Sequence, residues 1–228
     1  MRIFIKSLHR KILLFTIILF VCFTGKTQEQ IIPVQCDSIY YVSILDSLKI
    51  TFPNCKHIPQ DYELAFYTAI SHYPELKETK IEMKFKKFNF SMAARPAKKL
   101  LANRKKRIYR VYANIKKDFS GLLPSRLNYN QKTGIIGHEL GHILDYSNKS
   151  LCKMIGTGIG YLSRAYRRKL EAKTDIKAIS HGLGWQLYDF NNYLYNFSDA
   201  SEKYKKKKKK VYLDEKEIKE LIINNSKK

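Results

Sequence analysis

The stretch Thr133-Gly-Ile-Ile-Gly-His-Glu-Leu-Gly-His-Ile-Leu-Asp-Tyr146 constrains this chain more than any other. Its apolar residues, Ile135, Ile136, Leu140, Ile143 and Leu144, recur at helical spacing and occupy more than one side, so the helix must be buried. A buried helix carrying His138, Glu139 and His142 has to supply those polar groups with partners. Positions four apart stack on one face, so both imidazoles can meet at one metal ion. Glu139, one step round, can reach a water on that ion. His138-Glu-Leu-Gly-His142 is the H-E-x-x-H pattern, and Zn²⁺ is the ion it suits. Zinc takes the pKa of water from about 15.7 toward about 7, and the glutamate accepts the proton. The expected chemistry is metal-assisted hydrolysis of a peptide bond.

A catalytic zinc site has three protein ligands and one open position. The metzincin arrangement, H-E-x-x-H-x-x-G-x-x-H, is excluded: Asp145 stands at the glycine and Asn148 at the third histidine. Asp145 also lies about 10 Å along the helix axis from His138, too far to share an ion. Further on comes Glu171-Ala-Lys-Thr-Asp175, whose carboxylates are four apart and share a helix face. Here the sequence resembles the gluzincin metallopeptidases, which follow H-E-x-x-H with E-x-x-x-D on a second helix. The resemblance covers about Asn130 to His181. It implies Glu171 as third zinc ligand and Asp175 as the carboxylate that hydrogen-bonds a ligand histidine. A ligand histidine commonly donates its other N–H in this way. The alternative for Arg167 to Lys173 is a solvated, charged helix.

Gluzincins also place a Tyr, His or Arg against the oxyanion. Tyr129, Arg126, Arg95 and His181 are candidates, and His181, just after the ligand helix, is the first choice. Its alternative role is a helix-end histidine interacting with the C-terminal dipole. His57 and His72 carry no pattern.

Arg2, Lys6, Arg10 and Lys11 precede an apolar core from Ile12 to Phe23, and Thr24-Gly-Lys-Thr27 follows. That is the pattern of a secretory signal peptide over residues 1–27, so export is expected. The core is shorter than the roughly 20 residues of a membrane span, although an uncleaved anchor is the alternative. An N-terminal segment, 28–57, then precedes a domain at 58–200, and 201–228 reads as a lysine-rich connector and C-terminal helix. Cys36 and Cys55 are either a disulfide staple or, with Cys152, free thiols. The whole chain carries a net charge of +23. Without residues 1–27 the charge is about +18, a field that draws a protein to anionic envelope or membrane surfaces. Nucleic acid is not the expected partner of an exported chain, and a monomer acting on a peptide or protein substrate is.

Tyr62, Phe66, Ala69, Ile70 and Tyr73 form the stripe of an amphipathic helix that Pro59 opens and Pro74 ends. Lys80–Met92 alternates as a strand, with a change of phase near Lys86-Lys87 that predicts a bulge. Met92–Pro96 then leaves the strand, and Lys98–Arg107 is a basic loop or short helix. Arg107–Ile115 is the next strand, with Tyr109, Val111, Ala113 and Ile115 on one face. Asn130 is the expected cap of the motif helix. Ser150–Arg168 and Lys169–Ser180 read as helices, the second stopped by His181-Gly182. Another helix is expected in Trp185–Tyr195, and a solvated, mobile run in Lys205–Lys210. This order predicts an α+β, zincin-like domain: a small sheet packed on an active-site helix, with a second helix bearing the third ligand. The function expected is a secreted zinc peptidase. The alternatives are a non-catalytic, zinc-stabilised envelope protein that binds anionic surfaces, and a basic adhesin in which the motif is accidental.

Overall fold

The computed structural model describes residues 34–97 and 106–225. The expected signal peptide and most of the Lys98–Arg107 segment lie outside these residues. Two short helices, α1 (Ser38–Ser43) and α2 (Leu45–Thr51), lead into the two-residue strand β1 (Cys55–Lys56) and helix α3 (Gln60–Ser71). Three strands follow, β2 (Lys80–Lys86), β3 (Met92–Pro96) and β4 (Ile108–Asn114). Six longer helices follow among the described residues: α4 (Tyr129–Ser147), α5 (Leu151–Gly160), α6 (Arg164–Ala178), α7 (Gly184–Asn192), α8 (Glu202–Lys209) and α9 (Glu215–Asn225). The class is α+β, and no described helix is long and apolar enough to cross a membrane.

The sheet has the order β1-β2-β4-β3. β2 runs parallel to β4, with Ile81 opposite Tyr109 and Met83 opposite Val111. β3 runs antiparallel along the outer side of β4, with Ala94 opposite Val111. Of the single bulged strand expected over Lys80–Met92, Lys80–Lys86 is β2 and residues 87–91 bend away from it; Met92–Pro96, expected to leave the strand, is instead β3 on the other side of β4. The phase change at Lys86-Lys87 marks the end of β2, and the chain re-enters the sheet only at Met92. Asn114 makes this connection possible. Its buried amide donates to the Phe88 and Phe90 carbonyls, both at 2.8 Å, and its Oδ1 accepts from Lys116 N at 2.9 Å. Backbone groups that leave a ladder need such partners. Ile115 lies past the end of β4 and is exposed, unlike Tyr109, Val111 and Ala113.

The apolar stripe of α3 is buried as its spacing predicts. Helix α4 crosses the core between α3, the sheet, α6 and α7. Its cap is Asn128, not Asn130: Asn128 Oδ1 accepts from Gln131 N, and the Gln131 side chain accepts in return from Asn128 N. Asn128 and Gln131 have the three-residue spacing of a capping box. Asn130 is spent elsewhere, accepting from Cys36 N and donating to Asp189. Cys36, Cys55 and Cys152 are free thiols. Cys36 sits at the start of α4 and Cys55 in β1, so the staple between them does not form. Burial pushes the Cys55 thiol up to about 12.

The expected helix over Ser150–Arg168 breaks at residues 161–163, and the helix bearing Glu171 begins at Arg164. It is stopped as expected, with Gly182 at φ +79°, a conformation glycine adopts without strain. The Lys205–Lys210 run, read as a mobile connector, ends helix α8. That helix is anchored by buried Tyr204, while most of its lysines face water.

Candidate metal centre

Helices α4 and α6 bring three potential ligands together. His138 Nε2 and His142 Nε2 each lie 3.1 Å from Glu171 Oε2. One ligand atom from each of His138, His142 and Glu171 lies within 4.8 Å of the others. The helices approach closely where α4 carries Gly141: a Cβ there would stand 3.0 Å from Thr174 Cγ2 and 3.4 Å from the Thr174 carbonyl. A larger residue at 141 would push α6, and Glu171 with it, away from His142.

The outer hydrogen bonds fix the two histidines. His138 Nδ1–H donates to Asp175 Oδ1 at 2.6 Å. The Thr174 hydroxyl donates to the Leu170 carbonyl, so at 3.3 Å its oxygen accepts from His142 Nδ1–H. With both Nδ1 atoms protonated, each neutral ring turns a lone pair at Nε2 toward the same carboxylate oxygen. Lone pairs facing an anion require a cation between them, either a proton or a metal ion. Two donors about 2.05 Å from a tetrahedral ion stand about 3.3 Å apart, close to the two 3.1 Å separations. The residues therefore fit a metal ion, and their two nitrogens and one carboxylate oxygen are a borderline donor set.

The electrostatics agree. Burial opposes a charge on His138, but Asp175 and Glu171 outweigh it and raise its pKa to about 10. Burial also opposes the Glu171 anion, yet His142 and His138 hold its carboxyl well below the usual carboxylate range. Tyr161 OH donates to Glu171 Oε1 at 2.9 Å, which leaves Oε2 directed at the histidines.

A cleft of about 380 Å³ opens onto this cluster. Its floor includes Glu139, His142 and Glu171, and one wall is the β3 segment Met92 to Arg95. Glu139 is only 5% exposed, and its carboxylate receives no hydrogen bond or ion pair from any described residue. A buried carboxylate without a partner is costly, and water or substrate in the cleft is what it can reach. Tyr212 closes the opposite side. Its ring lies 6.0 Å from that of His138, and Lys208 Nζ stands 3.4 Å from its ring centroid. Burial, then Glu171 and Glu139, push the Tyr212 phenol well above its ordinary pKa, so it remains a neutral donor.

His138, Glu139, His142, Glu171 and Asp175 thus stand together where the motifs predict. His181 does not join them. It stacks on Tyr73 at 4.3 Å, its ring hydrogen-bonds the Lys177 carbonyl and Glu75, and it lines neither the cleft nor the adjoining cavities. Of the other oxyanion candidates, Tyr129 is bonded to Thr68 and Arg126 is paired with Asp199, while Arg95 lines the cleft. Thr174, Tyr161 and Tyr212 border the cluster and were missed by sequence reasoning. Thr174 shares a helix face with Glu171 and was open to inference. Tyr212, about 70 residues after His142, has no local signal.

No protein-family model, no curated protein and no solved structure matches this chain.

Proposed function

We propose that this chain is a zinc-dependent peptidase of the gluzincin kind, with a zincin-like domain, exported from the cell. The observation that carries the reading is the meeting of His138, His142 and Glu171 at one point, beside a partnerless buried Glu139 in an open cleft. Zinc held by those three residues would supply Lewis acidity toward the scissile carbonyl and a lowered water pKa. Glu139 takes the proton of the attacking water and delivers it to the leaving amine as the C–N bond breaks. Asp175 and Thr174 hold the two histidines in the Nδ1–H tautomer throughout. Tyr212, in place of His181, is the neutral donor for the carbonyl oxygen as negative charge develops there. Among the described residues, one side of β3 has no partner strand, so an extended peptide can add to that edge and run along the cleft.

A non-catalytic, metal-stabilised envelope protein would need neither Glu139 facing a cleft nor an edge strand beside it. The deciding experiment measures metal content and cleavage of a peptide library by the wild-type protein and by Glu139→Gln. One zinc in each, with cleavage by the wild type alone, is the expected result. Absence of zinc from the wild type, or undiminished cleavage by Glu139→Gln, overturns the proposal.

A further inference from the structure

The cleft does not end at the ligands. Beside Glu171 it continues into a pocket of about 80 Å³ between α6 and α8. Aromatic walls come from Phe90, Tyr204 and Tyr212, and the charged lining is Arg167, Lys207, Lys208 and Glu171. Glu171 is already committed to His138, His142 and Tyr161, so three cations face the pocket with no anion free to answer them.

Arg167 and Arg168 are adjacent and have opposite fates. Arg168 is fully engaged, donating to the Lys209 and Tyr212 carbonyls at 3.2 and 3.3 Å and to Glu217 at 2.7 Å. Arg167 has a buried Nε without any hydrogen-bond partner, and its guanidinium pairs with no carboxylate among the described residues. A buried donor left without an acceptor carries a desolvation penalty, and a ligand that supplies the acceptor removes it. The planar fork of arginine matches a carboxylate through two parallel N–H···O bonds. Lys208, held over the Tyr212 ring, adds a second positive charge at the mouth. The same sign continues at the other end of the cleft, where Arg95 is joined by Lys86 in the next cavity.

We infer that the Arg167 pocket is a substrate subsite for a carboxylate, presented by an Asp or Glu side chain or by a free C-terminus close to the scissile bond. The inference rests on the peptidase reading and names the substrate class of that site: acidic peptides.

The test uses the zinc-loaded protein and internally quenched peptides that differ only by Glu, Gln or Lys at single positions around the cleaved bond. Each peptide is made with a free and with an amidated C-terminus. At one position Glu should exceed Gln by about tenfold or more in kcat/KM, the worth of a charged hydrogen bond. Arg167→Gln should bring that ratio near one, Arg167→Lys should keep part of it, and Arg167→Glu should shift the preference to Lys. A preference that follows the free C-terminus instead of the side chain supports the same subsite with the terminus as its ligand. Cleavage at equal rates for Glu and Gln, and for acid and amide, overturns the inference and leaves the peptidase reading intact. Binding of the same peptides to Glu139→Gln by calorimetry separates the reverse case. If nothing is cleaved but Glu peptides bind at least tenfold tighter than Gln peptides, and adding Arg167→Gln removes the difference, the carboxylate site stands and the peptidase reading falls.

Discussion

Zinc binding at the proposed centre should displace a proton, the one on His138. His138 is held by Asp175 at Nδ1 and faces Glu171 with Nε2, and its pKa is raised to about 10. At 1.36 kcal/mol per pH unit, releasing that proton at pH 7 costs about 4 kcal/mol, which the ion must offset. Apparent zinc affinity should therefore climb about tenfold per pH unit from 7 to near 10 and then level off. Competition with a chromophoric chelator at each pH measures the slope. Calorimetry in buffers of different ionisation heat should find about one proton released from this group per zinc at pH 7. Asp175→Asn sharpens the test. At pH 10 it should weaken zinc binding 10- to 100-fold, as the loss of a carboxylate behind a ligand histidine does. It also lets the His138 pKa fall back toward 6.5, so less proton cost remains at pH 7 and the deficit there should be smaller. An affinity independent of pH between 7 and 10, or a deficit in Asp175→Asn of equal size at both ends, refutes the reasoning.

Other consequences can be checked separately. Because the folded pKa of His138 lies above its unfolded value of 6.5, its stabilising contribution is complete below 6.5 and lost as pH rises through about 10. The Tm of the metal-free protein should fall between pH 7 and 10, and that of the zinc-loaded protein should not fall through this group. Tyr212→Phe should lower kcat about 10²- to 10³-fold with zinc affinity unchanged; normal turnover would remove Tyr212 from the reaction. Asn114→Ala should destabilise the fold by about 2–3 kcal/mol in urea titrations, since the Phe88 and Phe90 carbonyls lose their donors. A change below about 1 kcal/mol would mean that water takes over those bonds.

What was legible in the sequence was local and periodic. His138 and His142, and Glu171 and Asp175, are each four apart on a helix, and four-residue spacing decides which side chains share a face whatever the rest of the chain does. The same holds for the stripe from Tyr62 to Tyr73. Strand assignments failed where periodicity carries no partner information: Phe88, Phe90 and Met92 alternate like Ile81, Met83 and Phe85, although residues 88–91 bend and the next strand is Met92–Pro96 on the other side of β4. The expected cap of α4, Asn130, is two residues too late, because the reciprocal bond with Gln131 that marks Asn128 as the cap is visible only in the structure. His181 was chosen by residue type and position after the ligand helix, and its bonds to Lys177 and Glu75 turn it away. Lys205–Lys210 reads as a solvated, mobile run; most of its lysines do face water, but buried Tyr204 docks the helix that carries them and Lys208 lies over Tyr212.

The candidate metal ligands lie within one short stretch of chain, from His138 to Glu171, whereas Tyr212 arrives from a later segment docked by buried Tyr204 and Leu213 and hydrogen-bonded to α6 by Arg168. Loop-closure entropy makes the ligand stretch the cheaper one to assemble. Local opening should likewise be cheaper for the segment around α8 than for the α4–α6 pair. In hydrogen-exchange measurements the backbone of 202–214 should then exchange well ahead of the ligand helices, with the ion still in place. The centre would behave as a fixed hearth with a hinged screen: heat stays in while the front swings, and cargo passes without the fire being rebuilt.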